Sequence, residues 1–352
     1  METEKPARHG LITTINYYKD LGDGSAPTPV YVGKYGNVYC LSKVKTIRYP
    51  HPCQVLMINL TPFCPLIRDQ VTNKRLMLPV TTTVTDVTGD GVEKSFTLDQ
   101  NGFQYLKHVS ELAQEEFADE EKIQREYLAE CEGFLKEVLR RSAPLPTEIL
   151  LPSNSSTRTN QISPSSDPKT NSTGASRVFA FDHRVRRGPS DWHEIPVYNV
   201  RHRGPLHRAH VDQSYAGAEM VLREKVPNPD EVGRLMQRRW GIVNIWRPIK
   251  PIHKDPLALC DARTVSDADL VPASIILKSG QRRESWTVKA NLEHRWYFKY
   301  QQQPDEVVLI KCFDSDSSPG MARRAPHCAV EDPDAREEDW RESVEVRCLV
   351  FW

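Results

Sequence analysis

The sequence predicts a mainly β fold with flanking helices (α+β), its second half rolled into a sandwich or barrel such as a jelly roll. Three observations carry this. From Ser176 onward, short apolar runs separated by turn residues recur at Val178–Phe181, Gly241–Trp246, Ser274–Leu277, Trp286–Val288, Trp296–Tyr300, Val307–Phe313 and Val344–Phe351. Residues 80–98 are rich in β-branched side chains and broken by Gly89-Asp90-Gly91, the pattern of a hairpin. Between about Val109 and Arg141 the period changes. Leu112, Phe117, Ile123, Tyr127, Leu128, Phe134, Leu135, Val138 and Leu139 fall at helical spacing among charged residues, and Ser142 to Pro146 end the pattern.

The remaining segments follow in order. An apolar-aromatic run, Leu11 to Tyr18, precedes the turn-rich GDGSAPTP. Residues 35–78 hold three of the eight cysteines and show no clear period, so they read as an insertion. Residues 143–173 are rich in Ser, Thr, Asn and Pro and lack aromatics, the composition of a disordered linker or second insertion. A helix is expected from Ala216 to Arg239, ending before Trp240-Gly241. The expected organisation is therefore 1–142, N-terminal strands and a helix packing on the core; 143–173, linker; and 174–352, the β core.

Hydrophobic residues make up 39% and charged residues 27% of the chain, ordinary values for a globular protein. Lys plus Arg equals Asp plus Glu at 47 each, which argues against nucleic acid and against an anionic membrane surface as partners. No apolar run approaches the ~20 residues of a membrane span. The polar start METEKPARHG lacks the apolar stretch of a secretory signal, so a cytoplasmic location is expected. The eight cysteines are scattered without a CxxC pair or zinc-like spacing, and read as free thiols acting as small buried hydrophobes.

The chemistry concentrates in RGPLHRAHVDQSYAG. His210 and Asp212 are two apart, so in a strand they point the same way and can bind one metal from one face. His327, in APHCA, lies far enough downstream for several strands to return the chain to that point. Two histidines and one carboxylate on one face leave open positions suited to Fe(II). Arg341 and Ser343 open the last strand and share a face; a guanidinium fork plus a hydroxyl matches the far carboxylate of a dicarboxylate such as 2-oxoglutarate. The residues alone leave open a surface His210–Asp212 pair with His327 capping a turn. The basic stretch RHRGPLHRAH reads as a solvated edge rather than an anion site, and His183 and His294 as surface or packing histidines.

Several longer strings resemble one family. TGASRVFAFDHRVRR, HRAHVDQSYAGA, IVNIWRPIKPIHKDPLALCDAR, DLVPASI, HRWYFKYQQQPDEVVLIKCFDS and RRAPHCAVEDP…RESVEVRCLVFW are similar to the fungal hydroxylase/desaturase family first linked to aspergillic acid biosynthesis, with gibberellin-desaturase-like and cephalosporin-methoxylase-like members. LITTINYYKD, VTTTVTDVTG and FTLDQNGFQYLKH extend the likeness over residues 9–34, 79–142 and 174–352. The resemblance implies a double-stranded β-helix and an Fe(II)/2-oxoglutarate-dependent oxygenase. Such enzymes use O2 to hydroxylate, desaturate or close rings on small molecules of secondary metabolism. It implies that His210, Asp212 and His327 hold the iron and that Arg341 and Ser343 take the cosubstrate. The gap from His327 to Arg341 is 14 residues, longer than the usual spacing of about ten, so Arg347, on the same strand face, is the alternative arginine. Asn244, Trp246 and Arg247 in NIWRPIK are implied as pocket residues. The family runs almost directly from VGK to VTTT and from the helix into TGASRV, which sets off 35–78 and 143–173 as either genuine loops or retained-intron artefacts. Rival readings are a non-catalytic β-sandwich protein, a zinc hydrolase using the same triad, and an iron oxidase that needs no 2-oxoglutarate.

Overall fold

Strands form where the β-branched and aromatic runs lie. The computed structural model describes residues 10–32, 38–41, 71–72, 75–89, 91–141, 174–188, 203–276, 280–336 and 339–352. In chain order the strands are β1 (Leu11–Tyr18), β2 (Val30–Val32), β3 (Val38–Leu41), β4 (Val71–Thr72), β5 (Met77–Asp86), β6 (Phe103–Lys107), β7 (Arg177–Arg186), β8 (His210–Val211), β9 (Trp240–Pro248), β10 (Leu257–Cys260), β11 (Leu270–Ile276), β12 (Arg282–Val288), β13 (Trp296–Phe298), β14 (Glu306–Asp314), β15 (His327–Ala329) and β16 (Ser343–Phe351).

Two sheets result, ordered β1-β5-β13-β10-β15-β8-β12-β11-β2-β3-β4 and β6-β14-β9-β16-β7. Their centres, β13-β10-β15-β8 and β14-β9-β16-β7, are antiparallel throughout. From β7 to β10 the chain alternates between these two four-stranded sets, turns back at β13, and alternates again to β16. That winding is a double-stranded β-helix, the core expected from the sequence. Inner faces meet: Trp246, Val308 and Ile310 of one sheet pack with Leu257, Leu259 and Ala325 on the other side.

The five-stranded sheet is covered on both faces, which is why β9, β14 and β16 read as continuous apolar runs rather than alternating ones. Its outer face, with Val243, Ile245, Val344, Val346, Cys348 and Val350, packs under α1 (Leu128–Arg141). Asp119 caps the helical stretch leading into α1, accepting from the Glu121 and Lys122 amides. Tyr127, Cys131, Leu135 and Leu139 form its buried stripe. A 14-residue helix is marginal by itself in water; burial of this stripe holds it, Leu135 and Leu139 each contributing about 1.5–3 kcal/mol.

Three expectations are corrected. The 80–98 segment is not a hairpin: β5 pairs antiparallel with β1 and parallel with β13, while Val92–Ser95 forms a 3-10 turn. Phe96 and Leu98 are buried there as single anchors, so the second run packs without entering the sheet. The helix from Ala216 to Arg239 is two, α2 (Tyr215–Lys225) and α3 (Pro229–Met236). Pro227 lacks an amide hydrogen to continue α2, and Asn228 caps α3 with Pro229 at its first position. The expected strand at Ser274–Leu277 starts earlier, at Leu270, and Leu277 lies outside the described residues. Most of 35–78 and all of 143–173 also lie outside them, although β3, β4 and the start of β5 fall within the first. No described helix is long and apolar enough to cross a membrane.

Candidate metal centre

His210 sits on β8 directly opposite His327 on β15, and opposite Thr287 on β12. Cross-strand partners project to the same face, and the two imidazole centroids are 4.5 Å apart. Asp212 follows as the chain leaves β8. Its Oδ1 lies 3.6 Å from His210 Nε2, and one ligand atom from each of His210, Asp212 and His327 lies within 4.8 Å of the others. The surface-pair alternative fails on burial: His327 is 3% exposed, and the His210 and Asp212 side chains are each 12% exposed.

Hydrogen bonds fix the tautomers. His210 Nδ1 lies 2.8 Å from the Arg208 carbonyl and His327 Nδ1 lies 3.1 Å from that of Ala325. A carbonyl only accepts, so both Nδ1 atoms carry hydrogen, and Nε2 is the nitrogen each ring has left to offer a metal. His327 Nε2 is buried without a hydrogen-bond partner. Burial, with His327 alongside, pushes the His210 pKa down to about 4, so the ring is neutral near pH 7. Burial pushes Asp212 up, but Arg347 and His210 outweigh it and hold its carboxyl well below the usual range. Two imidazoles, one carboxylate and an orphaned buried nitrogen fit the donor set of a non-haem iron site.

Around the triad the barrel interior is polar. Asp212 Oδ2 accepts from Asn244 Nδ2 at 2.7 Å and from Arg347 Nε at 2.8 Å. Arg347 also reaches Asp182 Oδ2 through Nη1 and Glu345 Oε1 through Nη2, each at 2.7 Å. Ser343, Glu345 and Arg347 alternate along β16 on this inner face. Arg341 is buried just before β16. It donates from Nη1 to the Asp255 carbonyl at 2.8 Å, its Nε has no partner, and its guanidinium carbon lies 5.6 Å from the Trp246 ring. Burial pushes its pKa down to about 10.

Other expected residues fall elsewhere. Arg247 points out of the barrel, donating to Tyr127 Oη and to the His108 and Pro304 carbonyls, because its neighbour Trp246 takes the inner face. The basic stretch is no solvated edge where it is described: His207 Nε2 lies 3.2 Å from the buried Asp255 carboxylate, and His202 lies outside the described residues. His294 is a packing histidine between Tyr17 Oη and Asp269. Asp182 and Glu345 were missed. Glu345 had a signal, since it shares the period-two face of Ser343 and Arg347 in SVEVRCLVF.

Comparison with known proteins gives the family. A family model described as an oxidoreductase/YMDC permease-like domain matches residues 65–143 and 162–351. The hydroxylase/desaturase efuI of Hormonema carpetanum is 32% identical over 278 residues, 74% of this chain and 80% of that protein. The alpha-ketoglutarate-dependent dioxygenase phiK of a fungal species is 31% identical over 265 residues, 75% of this chain and 82% of that protein. Among solved structures, the iron and alpha-ketoglutarate-dependent endoperoxidase NvfI superposes with a TM-score of 0.65 at 20% identity, over 98% of this chain and 99% of that one, a likeness of fold. The chain thus belongs to the fungal hydroxylase/desaturase family of Fe(II)/2-oxoglutarate-dependent oxygenases.

Proposed function

We propose that this protein is an Fe(II)/2-oxoglutarate-dependent dioxygenase of fungal secondary-metabolite biosynthesis that hydroxylates, desaturates or oxidatively cyclises a small molecule. The carrying observation is the convergence of His210, Asp212 and His327 inside the barrel, with both imidazoles locked as Nε2 donors. In this reading those three side chains hold Fe(II). Iron with 2-oxoglutarate supplies the oxidising power, coupling O2 reduction and cosubstrate decarboxylation to removal of hydrogen from an unactivated C–H bond.

The chain's own share is binding, orientation and exclusion of water. Arg341 and Ser343 take the far carboxylate of 2-oxoglutarate: a buried guanidinium with an unpartnered Nε calls for an acceptor. Apolar side chains such as Trp246, Val308 and Ile310 close the barrel beside them. A zinc hydrolase or a non-catalytic sandwich has no support among the relatives, which carry hydroxylase, desaturase and dioxygenase names. Cytoplasmic residence belongs to the same proposal: Cys131, Cys260, Cys312, Cys328 and Cys348 are buried free thiols, as suits a reducing compartment.

The test is metal and cosubstrate dependence. The purified protein should bind one Fe(II) and release succinate from 2-oxoglutarate, and Asp212→Ala should lose both. Unchanged succinate release in Asp212→Ala sinks the assignment. Comparison of metabolites with and without the gene then identifies the substrate, as a precursor two hydrogens richer or one oxygen poorer than the product.

A further inference from the structure

Two arginines, Arg347 on β16 and Arg341 just before it, reach the barrel interior, and they stand in opposite situations. Arg341 has a buried Nε with no partner. Arg347 has all three nitrogens on carboxylates: Nε on Asp212, Nη1 on Asp182 and Nη2 on Glu345. A cosubstrate carboxylate arriving at Arg347 would find all three guanidinium nitrogens already facing carboxylates.

We propose that Arg347 is a positioning residue for the metal centre: together with Asn244 it holds Oδ2 of Asp212, so that Oδ1 alone is presented to the ion. This rests on the reading of His210, Asp212 and His327 as iron ligands and deepens it. The backbone builds the arrangement. Arg347 is the direct cross-strand partner of Asn244 on β9 and of Asp182 on β7, so three neighbouring strands set Asn244, Arg347 and Asp182 in one row. Groups carried on paired strands are held more tightly than groups on loops. Asp212 itself lies just beyond the two-residue β8, and the described bonds to its carboxylate come from this row. Asp182 accepts from Nη1 and Glu345 forms an ion pair with Nη2, which leaves Nε aimed at Asp212. With Oδ2 bound twice, the carboxylate cannot rotate to offer both oxygens. The metal then keeps one protein oxygen and the open positions that a cosubstrate and O2 need.

Lysine carries the same charge but cannot span three carboxylates in a plane. The experiment is therefore Co(II) binding to the metal-free full chain, followed by 2-oxoglutarate binding to the Co(II)-loaded protein, for Arg347→Lys, Asn244→Ala and Arg341→Lys. Far-ultraviolet circular dichroism serves as the fold control. Arg347→Lys and Asn244→Ala should each weaken Co(II) binding by about tenfold or more and alter the visible absorption of the bound Co(II). Their affinity for 2-oxoglutarate at saturating Co(II) should stay within about twofold of the parent. Arg341→Lys should do the reverse. If Arg347→Lys does not fold, Asn244→Ala, which frees the same oxygen, decides alone. Parent-like Co(II) affinity in the folded variants overturns the proposal, as does a selective loss of 2-oxoglutarate affinity in Arg347→Lys. A parent protein that binds no Co(II) overturns the iron reading itself, a separate and recognisable failure.

Discussion

A histidine that is to hold a metal must be neutral, and burial secures this at His210, whose pKa falls from 6.5 to about 4. His108, half-buried beside the Arg247 guanidinium, is pushed down to about 4 for the same two kinds of reason, desolvation first. In an unfolded chain both would titrate near 6.5. Between about pH 6.5 and 4 the unfolded state therefore binds more protons than the folded state, so stability rises with pH across that window and is lost as pH falls through it. The urea midpoint of the metal-free protein should drop steadily from pH 7 to pH 4.5, and His108→Asn should make the slope shallower. A midpoint that climbs on acidification contradicts the assignment. Bound metal acts in the same direction: it competes with protons for Nε2, so saturating Co(II) should raise the midpoint at pH 7 and lose its effect as pH falls toward 4.

At the scale of elements, the string HVDQSYAGA joins the metal ligands to a helix, and its small residues have identifiable tasks. Ser214 caps α2 by accepting from the Gly217 amide at 2.8 Å, and its hydroxyl donates to Glu284 on β12 at 2.7 Å. A Cβ on Gly217 would lie 2.0 Å from the Glu284 carbonyl oxygen. Gly217→Ala should gain about 1 kcal/mol of helix propensity and lose about 3 kcal/mol to the backbone overlap, a net destabilisation readable in urea unfolding. Because β12 pairs with β8 at His210, Co(II) affinity should fall with it; a variant as stable as the parent would show that α2 can move away from β12 freely. The same string shows what was legible beforehand. His210 and Asp212 stood out because strand spacing puts both on one face, and β9, β14 and β16 because a doubly covered sheet needs unbroken apolar runs. The two- and three-residue strands β8 and β15 carry no periodic signal; their histidines were readable and their pairing was not. The 80–98 run was misread for a related reason. Its partner is β1, with Leu11 opposite Val84, and a pairing that distant leaves no local trace. Arg347 could be placed on the cosubstrate's side of β16 from its spacing, but two of its carboxylate partners, Asp182 and Asp212, come from separate stretches of chain.

On the scale of the whole molecule, the question is how a long excursion can be carried by a wound barrel. The chain leaves α1 at Arg141 and is described again from Gly174, which sits so close to the helix end that an added Cβ would lie 2.5 Å from the Arg140 Cα. The excursion therefore departs and returns at nearly one point. The family match skips residues 144–161, inside this stretch. Removing residues 142–173 and joining Arg141 to Gly174 through a glycine-serine linker of about four residues should leave the winding of β7 to β16 intact, since none of those strands comes from the deleted stretch. Shortening the connection from 32 residues, the span 142 to 173, to about four is three halvings, each worth about 0.6 kcal/mol of closure entropy. The deletion should thus stabilise the protein by about 2 kcal/mol in urea unfolding with Co(II) affinity unchanged. A deletion chain that aggregates, or that folds but binds Co(II) more weakly, would show instead that the excursion contributes contacts the barrel needs, and that the segment is a working part of the enzyme.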